Sequence, residues 1–546
     1  AMVGGDVRVR EAFVESVKIV LAEMARFAAV RERRGTAAMS EEIRLTGNFV
    51  GALFVHDTSR DLDPQLHGHA VLANVNWSKD RQQWLALKQN EMLRASPYLR
   101  QVLYRELASR LRALGYEPYE MNSKGFSVRG AEHLRERFSK RTRQVQKLAE
   151  EFAAEKGRKA TKREIEILVR ESREDKLTEV STPEVRAKQR AELNPVEVRA
   201  LDDLVHAART QAPRMQVSHG NAQTVLAAAL RHVYERSSIV RDDEVLGAAL
   251  ELHPDFYRWR ELRVALEAHP DAIHNEREMS LRPIRREEEA VVLRVREGRN
   301  QRFELGDAAQ LPAMLTPGQT TAARAILGST DFMSVLVGDA GTGKTTVLTA
   351  IEAAHVAAGG LRFVPLAPTT RARDAMVESG FAGADTVQRF LVSEAMQAAA
   401  ARRVVLVDEA GLLSTQQLDQ LTRIAYDVRA RVLLVGDTKQ HYSVNRGDAL
   451  RNVIKHSGTP VVRLAEVLRQ RNEADRRFSR LLASGAVGEA FEFADRRGLI
   501  REMPDDEAMF RKAAEHYADN RAKKIETLVV IPFWEEIERF NVHVRP

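Results

Sequence analysis

The 546-residue chain is long enough for several domains, each with a core of ordinary size. With 44% hydrophobic and 29% charged residues it reads as globular, which excludes extended disorder, and no apolar run approaches the ~20 residues of a membrane span. The absence of cysteine excludes disulfides and thiolate zinc sites, and a net charge of +7 favours an anionic partner without naming one. No signal-like segment opens the sequence, so a cytoplasmic location without membrane insertion is expected. From Asp6 to Val30, Phe13, Val17, Val20, Leu21 and Phe27 fall near helical spacing. After Gly47 the pattern turns to strands. Phe49, Val50, Leu53, Phe54 and Val55 lead to His56, and a polar loop with Asp61, Asp63 and Pro64 follows. A second strand then takes His67, Gly68, His69, Ala70, Val71 and Leu72 toward Val75. Residues two apart on a strand share a face, so His67 and His69 project together and a hairpin would bring His56 beside them. Three neutral imidazoles with an open fourth position suit a catalytic divalent metal, with Mg2+, Mn2+ and Zn2+ all admissible. A packed or solvated histidine pair is the competing reading.

The run His56-Asp57-Thr58-Ser59-Arg60 through Asp63-Pro64-Gln65-Leu66-His67-Gly68-His69-Ala70-Val71 to Asn74 resembles the three-histidine motif of MobF-type conjugative relaxases. Similarity continues through Trp84-Leu85-Ala86-Leu87, the helical stretch Tyr104 to Leu114, Gly115-Tyr116-Glu117, Gly125-Phe126 and Phe138-Ser139-Lys140-Arg141. The resemblance implies a partial relaxase domain over residues 1–145, an antiparallel sheet with helices of α+β type. It implies that His56, His67 and His69 hold a divalent metal on the scissile phosphate of transfer-origin DNA while a tyrosine attacks it. Gly68 departs from the family, which more often has threonine there. The family's nucleophilic tyrosines and an assisting acidic residue are expected to precede residue 1, since Tyr98 and Tyr104 lie in helical surroundings. The expectation is therefore a fragment that binds metal weakly and forms no covalent tyrosyl–DNA adduct.

Residues 146–215 are rich in Glu, Lys, Arg and Ala of alternating sign, with breaks at Ala160-Thr161, Ser181-Thr182-Pro183 and Asn194-Pro195. They read as a charged helical linker, a DNA-tracking role for the basic residues being the alternative. Residues 216–310 read as a helical domain with a small strand pair near Val291 to Phe303, in which His232 and Tyr234 are packing residues.

Thr316-Pro317-Gly318-Gln319 opens a helix running from Thr320 to Leu327 and resembles the adenine-reading motif of superfamily 1 helicases; a carboxamide such as Gln319 offers both donor and acceptor to a base edge. Val335-Leu336-Val337 feeds Gly338-Asp339-Ala340-Gly341-Thr342-Gly343-Lys344-Thr345-Thr346, a phosphate loop between strand and helix. Gly338, Gly341 and Gly343 let backbone N–H groups converge, Lys344 reaches the outer phosphates, and Thr345, beside Thr346, holds Mg2+. This is an NTP site, and the helicase resemblance implies ATP. Phe363 to Ala367 reads as a buried strand ending in Pro368-Thr369-Thr370, which with Thr386-Val387-Gln388 resembles helicase segments that hold single-stranded DNA. Val404-Val405-Leu406-Val407 delivers Asp408, for the magnesium, and Glu409, for the attacking water. Arg431 to Val435 repeats the strand, and Gly436-Asp437-Thr438-Lys439-Gln440 resembles the motif in which Gln440 senses the γ-phosphate. Tyr442 is placed either to stack on a base or in the core. Leu468-Arg469-Gln470-Arg471 resembles the motif whose arginine stabilises the transferring phosphoryl group, with Arg469 favoured over Arg471 by position. Thr527-Leu528-Val529-Val530-Ile531 reads as a strand of a second RecA-like domain.

The expected fold is an α/β multidomain chain: a partial relaxase domain, a helical middle region and a RecA-like parallel α/β helicase core of superfamily 1. The RecA-like domain 1A covers 311–460, and a truncated second domain covers 461–546. The whole resembles a relaxase–helicase that nicks one DNA strand at the transfer origin and then moves 5′ to 3′ on single-stranded DNA with ATP. Accessory nicking proteins and a coupling protein are the further partners implied. This fragment is expected to bind ATP better than it hydrolyses it. Two other readings are a RecD-like helicase without nicking, which has no need of the histidine face, and a non-catalytic DNA-binding remnant, which Lys344, Glu409 and Gln440 oppose.

Overall fold

The computed structural model describes all residues except 1–2, 34–40, 60–61, 157–159, 173–181, 211–219, 276–277, 340, 438–445, 465–471 and 546. Gln440, Tyr442 and Arg469 lie outside the described residues. The chain forms two compact units, one of Ala1–Arg143, Glu174–Gly338 and Lys344–Leu464, the other of Gln144–Arg173, Asp339–Gly343 and Ala465–Pro546. No described helix is long and apolar enough to cross a membrane.

In the first unit, the helix Val7–Met24 begins where the Asp6 carboxylate accepts the Arg8 N–H at 3.2 Å. Its Phe13 lies beneath an antiparallel hairpin of Gly51–Thr58 and Pro64–Leu72. Leu53 and Val55 are half-buried while Phe54 and His56 are exposed, the alternation expected of a strand with one packed face. The helix Ser96–Ala113 follows, and here the domain plan needs correcting. Its Tyr98, Leu99 and Val102 share one hydrophobic core with Leu226, Leu246, Leu250, Phe256, Trp259 and Leu262. The helices of the middle region therefore close over the first region instead of forming a separate domain.

The linker expected at 146–215 is also revised. The helices Thr182–Ala191 and Pro195–Thr210 bury Val185, Leu201, Val205 and Ala208 within the first unit. Alternating charge marks only the outer face of such a helix; a few apolar residues at helical spacing suffice to dock the other. The small strand pair lies at Ala272–His274 and Met279–Leu281, while Val291 falls within the helix Arg282–Glu297. Tyr234 is buried and donates to Met279 O at 3.2 Å, a packing role.

The sheet of the motor region is six-stranded and parallel, in the order 385–386, 364–367, 404–407, 431–436, 333–338 and 461–464. Its central strands are buried from end to end, as near-continuous Val and Leu runs require when helices cover both faces. Val461–Leu464 was expected to begin a second RecA-like domain; it pairs instead with 335–338 as the edge strand of this sheet. Gly458 and Pro460 mark a turn before that edge strand. The second unit is helical through Glu473–Ala483, Val487–Arg496, Asp506–Ala522 and Trp534–Val544. Thr527–Ile531 forms no strand, for none stands beside it among the described residues. Its Val529 and Ile531 pack on Phe510, Ala514 and Phe540.

Candidate functional site

Two centres emerge, one on the hairpin and one at the edge of the parallel sheet. On the hairpin, His56 stands directly across from His67, and His69 lies across from Phe54 on the same face. The ring centroids form a nearly equilateral triangle, His56–His67 5.4 Å, His56–His69 5.2 Å and His67–His69 5.1 Å. An ion bound tetrahedrally through nitrogens at ~2.1 Å would hold such centroids about 5.3 Å apart. His67 Nδ1 donates to Gln65 O at 2.9 Å, which fixes the tautomer and leaves Nε2 for an ion. Among the described residues no group of three or more His, Asp or Glu side chains is already arranged to hold a metal ion. The spacing of the rings, not a closed coordination sphere, is what the backbone supplies, and the donor set fits a divalent cation. Gly68 faces away from the triangle, where a Cβ would come within 3.2 Å of Leu53 and 3.7 Å of Phe13. A small residue there lets the helix Val7–Met24 approach.

At the motor, every parallel strand ends on one edge, so the chain delivers its polar residues together. Gly341 and Gly343 adopt φ of +83° and +76°, which only glycine takes without strain, and the helix Lys344–Ala357 follows. Lys344 Nζ donates to Gly338 O at 2.7 Å. Thr345 and Thr346 are exposed at the helix start. Asp408 and Glu409 follow the strand Val404–Val407, and the Glu409 N–H donates to Asp408 Oδ1 at 2.9 Å. Burial raises the Asp408 carboxyl above its ordinary range, opposed by that hydrogen bond and by the Lys344 charge. Glu409 is raised first by burial and then by Asp408, with Lys344 opposing and Asp437 adding. Glu409 also sits at φ +52°, ψ +37°, a left-handed conformation that non-glycine residues avoid. The residues thus fit a magnesium-bound triphosphate beside two carboxyls raised by burial.

Asp437 was missed as a contributor, although it follows the strand Arg431–Gly436 as Asp408 follows its own; a second apolar run ending in an acid was the available signal. Gly436 lies close under the turn, a Cβ there meeting Gly411 N at 3.3 Å. Gln319 is buried in a capping box, its Oε1 accepting the Thr316 N–H at 3.1 Å. Thr369 and Thr386 cap helices at the same sheet edge, their hydroxyls accepting N–H bonds from Ala372 and Arg389. Pro368 is half-buried beside Thr369, and Gln388 is exposed.

Known proteins match along the same two regions. The TrwC relaxase family profile matches residues 1–196 and an AAA domain profile matches residues 314–505. The multifunctional conjugation protein TraI of Escherichia coli K12 is 40% identical over 126 residues, 21% of this chain and 7% of that protein. A second Escherichia coli TraI is 30% identical over 269 residues, 46% of this chain and 14% of that protein. The chain thus spans a small part of the length of these relatives. The probable conjugal transfer protein TraA of Sinorhizobium fredii is 26% identical over 260 residues, 47% of this chain and 23% of that protein. A solved metal-bound complex of the conjugative relaxase TrwC with oriT DNA is 32% identical with a TM-score of 0.32, covering 37% of this chain and 66% of that one. With a relaxase-family match in front and an AAA-domain match behind, the chain is similar in both regions to the conjugation proteins TraI and TraA.

Proposed function

We propose that the chain acts in conjugative DNA transfer, nicking one strand of transfer-origin DNA at the histidine centre and moving 5′ to 3′ along single-stranded DNA with ATP at the motor. The observation that carries this reading is the His56–His67–His69 triangle on the same polypeptide as Lys344, Asp408 and Glu409. His56, His67 and His69 would hold the divalent cation, which when bound supplies Lewis-acid stabilisation of a phosphodiester oxygen. The exposed histidine face, with Phe54 beside His69, gives a nucleic-acid backbone room to approach.

At the motor, Lys344 leaves Gly338 O to neutralise the outer phosphates while Gly338, Gly341 and Gly343 cradle them, and Thr345, flanked by Thr346, and Asp408 hold the magnesium. Glu409 orients the attacking water and takes its proton, a role for which its raised pKa suits it. Gln319 would read the adenine edge, Gln440 would sense the γ-phosphate, and Arg469 would stabilise the transferring charge. Pro368, Thr369, Thr386, Gln388 and Tyr442 would line the path of single-stranded DNA. Accessory nicking proteins, a coupling protein and a cytoplasmic location complete the reading.

Two binding measurements test it. Calorimetric titration of the whole chain with Mn2+ should show one site that His67→Ala abolishes, and a fluorescent ATP analogue should bind with an affinity that Lys344→Ala reduces by about 10-fold or more. Metal binding that survives His67→Ala, or nucleotide binding indifferent to Lys344, defeats the corresponding half.

A further inference from the structure

The histidine triangle is built on a two-stranded hairpin, and a hairpin by itself is marginally stable and poorly aimed. Two features of the hairpin make this sharper. The register is irregular between His56 and Thr58: the second strand carries the extra residue, so that Gln65 and Leu66 bulge opposite Asp57, immediately after the first histidine. Bulges re-aim the side chains beside them. In the connecting loop, Leu62 is held at φ +59°, a conformation leucine adopts only when its surroundings impose it.

Both irregular points are gripped from outside the hairpin. Arg186, on the helix Thr182–Ala191, donates from Nη2 to Asp57 Oδ2 at 2.9 Å, opposite the bulge. Gln189, one turn further along and buried, donates from Nε2 to Leu62 O at 2.7 Å, at the strained residue. Lys140 closes the loop from another side. Its backbone N–H donates to Asp63 Oδ2 at 2.9 Å, and its Nζ lies 3.3 Å from Asp63 Oδ1 and 2.9 Å from Glu192 Oε1. Asp63 is itself buried and accepts the Ser59 N–H on its carbonyl at 2.8 Å.

We infer that Arg186, Gln189 and Lys140 are positioning residues that lock the bulge and loop of the hairpin, and so hold His56 opposite His67 and His69 at the spacing a divalent cation needs. This inference rests on the reading of the three histidines as a cation site. It assigns to a helix that reads as charged linker the setting of metal affinity.

The test is calorimetric titration of the full chain with Mn2+ and with Zn2+, each variant's melting transition being recorded alongside. Arg186→Ala, Gln189→Ala and Asp57→Asn should each weaken binding by about 10-fold or more, the range for residues that orient metal ligands. Lys188→Ala, an exposed neighbour on the same helix, should bind as the wild type does. The double variant Arg186→Ala with Asp57→Asn should lose no more than the weaker single variant, because both remove one contact. Arg186→Lys, which keeps the charge, should recover part of the affinity. Affinity lost in a variant that melts with the wild type supports the inference. Wild-type binding left unchanged by Arg186→Ala and Gln189→Ala overturns it alone, whereas a wild-type chain that takes up neither ion overturns the cation-site reading and this inference with it. Should Arg186→Ala fail to fold, Gln189→Ala and Arg186→Lys decide by the same criterion.

Discussion

Glu409 concentrates the conflict between stability and chemistry at the scale of one residue. Its backbone is left-handed, and its carboxyl is raised by burial and by Asp408. A carboxyl whose folded pKa is raised destabilises the fold as pH climbs through and above the ordinary carboxylate range, because ionisation is easier in the unfolded chain. Glu409→Gln should therefore raise the melting temperature at pH 7 while ATP affinity persists and hydrolysis falls by roughly 10²–10⁴-fold. Glu409→Gly, which also relieves the backbone, should melt higher still; scanning fluorimetry beside a phosphate-release assay reads both. Asp6 shows the opposite sign. Hydrogen bonds from Arg8 and then Tyr116, against the opposing effect of burial, hold its pKa at about 2, below the ordinary 3.8. Its stabilisation is present above the ordinary value and is lost as pH falls toward the folded one. Asp6→Asn should cost about 1–2 kcal/mol at pH 7, a difference that closes between roughly pH 4 and pH 2 in urea denaturation. Glu409 and Lys344 were legible as residues because the phosphate loop and the acid-tipped strand each carry a fixed spacing. Their pKa directions were not, since burial is a property of the packed site.

At the scale of elements, the two histidine strands and the four central motor strands follow from alternation and from continuous Val and Leu runs, and these were legible, whereas the edge strands Asp385–Thr386 and Val461–Leu464 were not. Helix docking was less so. Pro195–Thr210 has the composition of a solvated connector, yet it approaches the first region closely enough that a Cβ on Gly115 would lie 2.5 Å from Ala208 O. Gly115 also has φ +91°. Gly115→Ala should accordingly cost roughly 2 kcal/mol or more, through backbone strain and a clash that no rotamer relieves, and denaturant unfolding measures it. The same logic explains Thr527–Ile531. A β-branched run states a preference for extended chain, but a strand also needs a partner, and the described residues of that unit offer helices.

Across the whole molecule, the relaxase region and the middle helices share a core, with Arg105 at its centre. That guanidinium is buried and donates to Phe256 O at 3.2 Å and to Leu250 O, tying the helix Ser96–Ala113 to the end of Asp242–Leu252 and the turn beyond it. Arg105→Ala would leave those carbonyls unpaired in the interior. It should destabilise the unit by about 3 kcal/mol or more, and calorimetric unfolding should show the relaxase region and the middle helices melting together. If the middle helices instead keep their own transition, the shared core is not a cooperative one.

The sequence by itself determined the two candidate sites and the strands that carry them, because phosphate loops, acid-tipped strands and paired histidines depend on local geometry at fixed spacing. Only the tertiary structure decided which segments close over which. The contacts of Tyr98 with the middle helices, of Arg186 with Asp57, and of Val461–Leu464 with the phosphate-loop strand join residues far apart in the chain. Such contacts follow from shape and burial among distant surfaces, which neither the periodicity nor the charge of any one segment encodes.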